Sequence, residues 1–333
     1  MPSTVPDLSK VRLHVVTGKG GTGKTTVSAA LAMALTRQGK RVLLVEVEGR
    51  QGISQTFDVA PLGHQETRIL HERSGGELWG LSVDAKESLR EYLQKFYKVG
   101  RAMTVLDRFG AVDFATTIAP GVRDVLLIGK VYEAAGRRSG RAGAPVYDAV
   151  VLDAPPTGRV VRFLNVNAEV ADVARVGPIR TQADSITRML RSHTTAVHVV
   201  TLLEEMPVQE TVDAQTELKR VGLPLGAVVV NQLRDPMLPD KALKQVSAKR
   251  PARLAEAVAT DLESVRVRVT NGLVDGLLDD ARQHADRVAL EREQDAVLVS
   301  LGRLMVRLPL LPEGTEAGGI AVLARVIDEQ GMV

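Results

Sequence analysis

The 333-residue chain contains no cysteine. That excludes disulfides, thiolate zinc sites, cysteine-ligated iron–sulfur clusters and cysteine nucleophiles, and it suits a reducing compartment. A secretory signal is missing too: Met1 to Lys10 is short and polar, with two prolines and no apolar core of the kind export requires. No apolar run approaches the roughly 18 to 20 uninterrupted residues of a membrane-spanning helix, because charge, proline or glycine breaks each one. The chain is therefore expected in the cytoplasm, with any membrane role peripheral or through a partner. Net charge is small, +3 from 43 basic and 40 acidic side chains, so charge lends only weak support to nucleic-acid or anionic-membrane binding, and a nucleic-acid partner is not expected. Repeats at solenoid or propeller spacing are absent. What is there is a 44% apolar composition, enough for a globular chain with a sizeable core.

Arg12 to Thr17 reads as a buried strand running into a glycine-rich loop, and Thr25 to Gln38 as an alanine-rich helix stopped by Gly39. Arg41 to Val47, a β-branched run after the Gly39-Lys40 turn, completes a βαβ unit, which predicts parallel pairing and right-handed crossovers. Further strands are expected at Leu78 to Val83, Ala149 to Leu152, Val197 to Leu203, Ala227 to Val230 and Met305 to Leu310, mostly separated by helices. The fold class is α/β: a doubly wound, mostly parallel sheet with helices on both faces and a helical subdomain, in a single domain 1–333. Helical excursions at about 85–140 and about 160–191 break the alternation. The arginine- and glycine-rich stretch Gly136 to Gly143 reads as a solvated loop, the alternative being a basic contact surface.

Gly18-Lys19-Gly20-Gly21-Thr22-Gly23-Lys24-Thr25 fits the pattern G-x-x-x-x-G-K-[ST], and it stands after a buried strand and at a helix N-terminus, where a phosphate cradle needs it. Glycines let the backbone wrap phosphates with its N–H groups aimed inward, the helix dipole favours the anion, and Lys24 adds a point charge. Thr25 supplies a hydroxyl ligand for magnesium, and Thr26 follows it into the first helical turn. The expected ligands are ATP and Mg2+. In a site of this kind the apolar series from Leu89 through Phe96 and Met103 to Phe109, spaced at three to four residues, is either core or a surface that opens and closes with nucleotide.

The extra lysine, Lys19, in the order K-G-G-x-G-K-[ST], resembles the deviant Walker A motif of the SIMIBI-type P-loop ATPases, which include the arsenite-pump ATPase, MinD, ParA and the nitrogenase iron protein. In that group the first lysine reaches across a dimer interface to the partner's nucleotide. The resemblance therefore implies a catalytic role for Lys19 beside Lys24, and an ATP-sandwich dimer. Within the group the likeness is to the ArsA/Get3 branch. Tyr147 to Arg159, Y-D-A-V-V-L-D-A-P-P-T-G-R, is similar to that branch's strand and switch II, Y-D-x-V-V-x-D-T-A-P-T-G-H. It implies that Asp153 holds a magnesium-bound water and that Gly158 brings a backbone N–H to the γ-phosphate, as suits an aspartate leaving a buried strand beside a P-loop. Asn231-Gln232 resembles the branch's V-N-Q, whose asparagine reads the adenine edge with an amide that both donates and accepts; a turn asparagine is the other reading. Leu308 to Glu313 resembles the P-L-x-P-x-E loop that packs on the base and places Pro312 there. These landmarks run from residue 18 to residue 313.

The pattern also breaks. After its second strand the branch carries D-P-A-H-[NS], whose aspartate positions the attacking water. Here the stretch is Val47 to Ser54, with Glu48 on the aspartate's place and Ser54 and Phe57 still in register. The extra methylene shifts the carboxylate by about an ångström, and misplacement on that scale can cost about a hundredfold in rate. Glu48 is thus either a catalytic residue that orients water or a structural one at the strand end. Switch II has Ala154-Pro155-Pro156 for T-A-P and Arg159 for histidine. The branch's zinc clasp and arsenite-binding cysteines are missing, so no zinc site is expected, and His64 and His71 read as solvated or core side chains.

The function this implies is a dimeric ATPase that couples nucleotide-driven opening and closing to a client or peripheral membrane partner, as a homodimer or as a heterodimer with a paralogous ATPase. Two alternatives stand beside it. One is a weakly active regulatory subunit of such a heterodimer, which Glu48 would explain. The other is a ParA/MinD-like positioning ATPase, against which Ile320 to Gln330 is short and carries little basic charge for a membrane helix.

Overall fold

The computed structural model describes residues 7–47, 49, 51–85, 87, 88, 90, 91, 120–139, 143–165, 178–248, 251–315 and 317–333. Glu48 and the apolar series from Leu89 to Phe109 lie outside the described residues.

Leu13–Gly18 (β1) is buried along its whole length, as a strand covered on both faces must be. Gly23, at φ 86°, turns the chain into Lys24–Arg37 (α1). Arg41–Glu46 (β2) returns alongside, followed by Gly52–Phe57 (α2), Thr67–His71 (β3) and Glu77–Ser82 (β4). Pro120–Gly136 (α3) leads through a short hairpin, Arg138–Ser139 (β5) with Ala144–Pro145 (β6), to Ala149–Asp153 (β7), Thr157–Leu164 (α4) and Pro178–Leu190 (α5). Then come Thr195–Thr201 (β8), Glu205–Arg220 (α6), Leu225–Leu233 (β9), Asp240–Val246 (α7), Pro251–Ser264 (α8), Asn271–Ser300 (α9), Met305–Pro309 (β10) and Ala317–Glu329 (α10).

The main sheet has the order β10-β9-β8-β1-β7-β2-β4-β3, parallel throughout except for β3, which runs antiparallel to β4 at the edge. The chain leaves β1 for β2 on one side, and leaves β7 for β8 on the other. β1 therefore sits at the point where the strand order reverses, and a crevice opens beyond the C-terminal ends of its neighbours. One face of the sheet is covered by α3, α4 and α5, with Ile128, Phe163 and Ile186 packed on Val15, Leu43 and Leu152. The other is covered by α1 and α10, with Leu31, Leu35, Leu323 and Ile327 on Val16, Leu44 and Val229.

On that second face two histidines are fully buried side by side, His14 of β1 and His198 of β8. Their rings stack, with Nδ1 of His14 3.1 Å from Nε2 of His198. The Ala227 N–H donates to Nδ1 of His198, so His198 carries its proton on Nε2 and gives it to His14.

The α/β reading holds, and the structure adds three features to it. β3 is a short, exposed edge strand whose alternation is diluted by Arg68 and His71. In the stretch read as a loop from Gly136 to Gly143, Gly136 closes α3 and Arg138–Ser139 forms β5, paired antiparallel with β6. The third is a helical extension, α7 to α9, between β9 and β10, in which Leu243 and Val246 pack on Ala285 and Val288. The helical excursions read from the sequence lie elsewhere.

Candidate nucleotide site

The glycine loop joins β1 to α1 in the crevice, and neighbouring strands fix its shape. A Cβ on Gly18 would lie 2.2 Å from the Val200 carbonyl oxygen of β8, so only glycine fits. A Cβ on Gly23 would lie 2.3 Å from Nδ2 of Asn231, and the φ of +86° favours glycine in any case. Asn231 is 5% exposed, and its Nδ2 donates to the Thr22 carbonyl at 2.9 Å. Its donor half is thus committed to the loop. Asn231, expected just past the end of its strand as a reader of the adenine edge, lies within β9 and supports the loop through this hydrogen bond. Inside the loop Thr22 Oγ1 and Lys24 Nζ both donate to the Lys19 carbonyl, at 2.9 and 3.2 Å.

A cavity of about 280 Å³ opens between Gly21, Gly23, Lys24 and Thr25 on one side and the ends of β2 and β7 on the other, where Glu46, Val47, Asp153 and Ala154 line it with Gly52. Thr25 Oγ1 donates to Asp153 Oδ2 at 2.6 Å, and Ser28 Oγ reaches Oδ1 at 3.4 Å. Enclosure pushes the Asp153 carboxyl up to about 6, and the charge of Glu46 adds to this, against the Thr25 hydrogen bond and the charge of Lys24. An acid raised in this way gains from a cation beside it. A threonine hydroxyl in contact with such a carboxylate, next to a phosphate cradle, fits magnesium. Among the described residues no group of three or more His, Asp or Glu side chains is arranged to hold a metal, so an ion at Thr25 and Asp153 would share its coordination with phosphate oxygens.

Lys19 points to a different partner. Its Nζ forms an ion pair with Glu210 of α6 at 2.8 Å, each side chain about one-third exposed. The other oxygen of Glu210 accepts from Thr157 Oγ1 at 2.9 Å, and the Lys19 and Thr157 contacts hold the Glu210 carboxyl below its usual range. Lys19 is thereby tied within its own chain to the first turn of α4.

The structure assembles Gly21, Gly23, Lys24, Thr25 and Asp153 around one cavity. Gly20 and Gly21 are exposed on the loop, and Thr26 is half-buried in the first turn of α1. Gly158 does not line the cavity: α4 begins at Thr157, which places Gly158 on the exposed side of its first turn. Pro312 is likewise outside, in an exposed turn after β10. Sequence reasoning missed Glu46 and Glu210. Glu46 carried a signal, an acidic residue ending a buried strand, whereas Glu210 sits on a polar helix like many others.

This is the construction of the P-loop nucleoside triphosphatases. The model of the anion-transporting ATPase family matches residues 11–192, and the chain belongs to that family. Among its relatives, ATPase BagA of Mycobacterium tuberculosis is 45% identical over 325 residues, covering 98% of this chain and 95% of the relative. The arsenical pump-driving ATPase of Acidiphilium multivorum is 26% identical over 230 residues, covering 65% of this chain and 38% of that one. Among the described residues no helix is long and apolar enough to cross a membrane.

Proposed function

We propose that this protein binds ATP with Mg2+ and hydrolyses it as a dimer, and that the opening and closing of the dimer acts on a client or a peripheral membrane partner. The observation that carries this reading is the convergence of Lys24, Thr25 and Asp153 on one cavity beyond β1. Gly20 to Thr25 present backbone N–H groups to the phosphates, and Lys24 exchanges the Lys19 carbonyl for phosphate oxygens. Magnesium supplies charge neutralisation at the β- and γ-phosphates, held through Thr25 and Asp153. Asn231, with its Nδ2 engaged by the loop, offers its carbonyl oxygen to the adenine amino group. Lys19, released from Glu210, reaches the nucleotide of the second subunit, and Gly158 and Pro312 approach the phosphates and the base in that closed state.

A second reading is favoured by Glu48, which stands where the family pattern has its water-positioning aspartate. Hydrolysis by this chain alone is then slow, and a paralogous ATPase supplies turnover in a heterodimer. Whatever the client, arsenite is not captured by thiolates here, since the chain has no cysteine.

The decisive test is titration of a fluorescent ATP analogue against wild type and Lys24→Ala. Affinity should fall at least about tenfold, as expected for loss of a charge-assisted phosphate contact; equal affinity would refute the phosphate site. Light scattering with a non-hydrolysable ATP analogue should show mass doubling that Lys19→Ala abolishes. Purification from native cells with partners attached, followed by ATPase assays of chain and complex, separates the two readings, because full activity in the isolated homodimer rules out the regulatory one.

A further inference from the structure

Two carboxylates face the phosphate cavity. Glu46 ends β2 and Asp153 ends β7, and the paired strands set them directly opposite each other in register. Glu46 is only 4% exposed, and it lines the cavity together with Lys24, Thr25 and Asp153. A charged side chain is rarely buried unless its oxygens are satisfied, and those of Glu46 are. Oε1 accepts from the Gln51 N–H and from the Ser82 hydroxyl, each at 3.0 Å, and Oε2 accepts from the Ile53 N–H at 3.3 Å. Each of these donors is neutral, so they stabilise the carboxylate without cancelling its charge.

The donors also reveal what Glu46 holds. Gln51 and Ile53 flank Gly52 at the start of α2, immediately after the place of Glu48. Gln51 is in the left-handed region at φ 55°, a conformation that a non-glycine residue adopts only where its surroundings impose it. Its side chain exchanges two hydrogen bonds with the Leu62 backbone, at 3.0 and 2.8 Å. Gly52 lies so close to the cradle that a Cβ there would stand 3.0 Å from Cγ2 of Thr25. One carboxylate therefore ties the segment 51–53 to the wall of the cavity at the end where Thr25 and Asp153 meet.

We propose that Glu46 is a positioning residue that couples cation occupancy of the phosphate cavity to the segment Gln51 to Ile53. Its negative charge, added to that of Asp153 opposite it, favours the divalent cation that accompanies the triphosphate, and its two amide contacts hand that preference to the backbone entering α2. The inference rests on the reading of the cavity as an ATP and magnesium site.

The test compares binding of a fluorescent ATP analogue in magnesium and in EDTA, for wild type and for Glu46→Gln, which keeps the size and removes the charge. In the variant, affinity in EDTA should be kept or improved, while the gain from magnesium shrinks on the order of tenfold, as loss of a full charge near a dication requires. Ser82→Ala, which keeps the charge and removes only a hydroxyl donor, should stay within about threefold of wild type. Equal losses with and without magnesium in Glu46→Gln, or a Ser82→Ala effect as large as that of Glu46→Gln, would make Glu46 a structural tether and overturn the proposal. Hydrogen exchange of the peptide spanning 51–53 in nucleotide-bound wild type gives a readout that needs no variant. Slower exchange in magnesium than in EDTA supports the coupling, and identical exchange overturns it. Wild-type protein that binds no ATP overturns the underlying reading, whereas binding with an unchanged magnesium gain in Glu46→Gln overturns only the role of Glu46.

Discussion

Acidification should destabilise the fold through the histidine pair, and the size of the effect follows from burial. His198 is fully buried, and the loss of hydration pushes its pKa from 6.5 down to about 3. His14 is pushed well below 6.5 by the same burial and by its neighbour His198. Both folded-state values are depressed, so the unfolded chain takes up protons first as the pH falls. Stability is complete above about pH 7 and is lost progressively below 6.5. For His198 alone, moving from pH 8 to pH 5 costs about 2 kcal/mol, and His14 adds to the loss. Asp153 works in the other direction. Its folded pKa of about 6 lies above the 3.8 of a solvated aspartate, so the folded state binds that proton more tightly and gains about 1 kcal/mol at pH 5. The depressed carboxylates Glu66 and Glu210 lose their contribution below this window. Urea denaturation should therefore show wild type less stable at pH 5 than at pH 8 by about 1 kcal/mol or more. In a His14→Leu, His198→Leu double variant the difference should vanish or reverse sign, even though leaving the Ala227 N–H without an acceptor lowers stability at both values. An unchanged pH difference in the double variant would refute the argument.

Two further predictions concern the loop. Gly23→Ala places a methyl group against Asn231 in a left-handed conformation, so urea denaturation should show a loss of at least about 1–2 kcal/mol. A Cβ on Gly20 meets nothing within 4 Å, and Gly20→Ala should stay within about 0.5 kcal/mol of wild type. Glu210→Gln removes the charge that holds Lys19. As a partly exposed pair of this kind is worth at most about 1 kcal/mol, ATP-driven dimerisation measured by light scattering should tighten by up to about fivefold, and weaker dimerisation would show that Glu210 serves the closed state instead.

The phosphate loop was legible because everything that shapes it is local: a buried run, glycines at fixed spacing, and a helix that begins on Lys24. Asp153 was legible for a similar reason, as the acid that ends a strand uninterrupted by polar residues. Glu46 went unread although it ends a strand in the same way, because the family pattern draws attention two residues onward to Glu48. The contacts of Asn231 with Thr22 and of Lys19 with Glu210 join residues about two hundred positions apart, and no periodicity announces such pairs. The helical extension was hidden by composition. Proline and glycine punctuate helical patterns, yet Pro239 and Pro251 stand at or just before helix starts and Gly272 and Gly276 fall in the first two turns of α9.

The fastening of the glycine loop has one more consequence. Held at Gly18 by β8 and at Gly23 by β9, the loop is a mould set during folding, and a nucleotide that enters it orders little that was not ordered already. The opposite wall is the end of β2 and the short α2, where Ile53 and Phe57 anchor the helix in the core and the N–H groups of Gln51 and Ile53 converge on the Glu46 carboxylate. On the proposed role of Glu46, the cavity joins a wall preset by the neighbouring strands to one whose backbone answers to the charge held inside it.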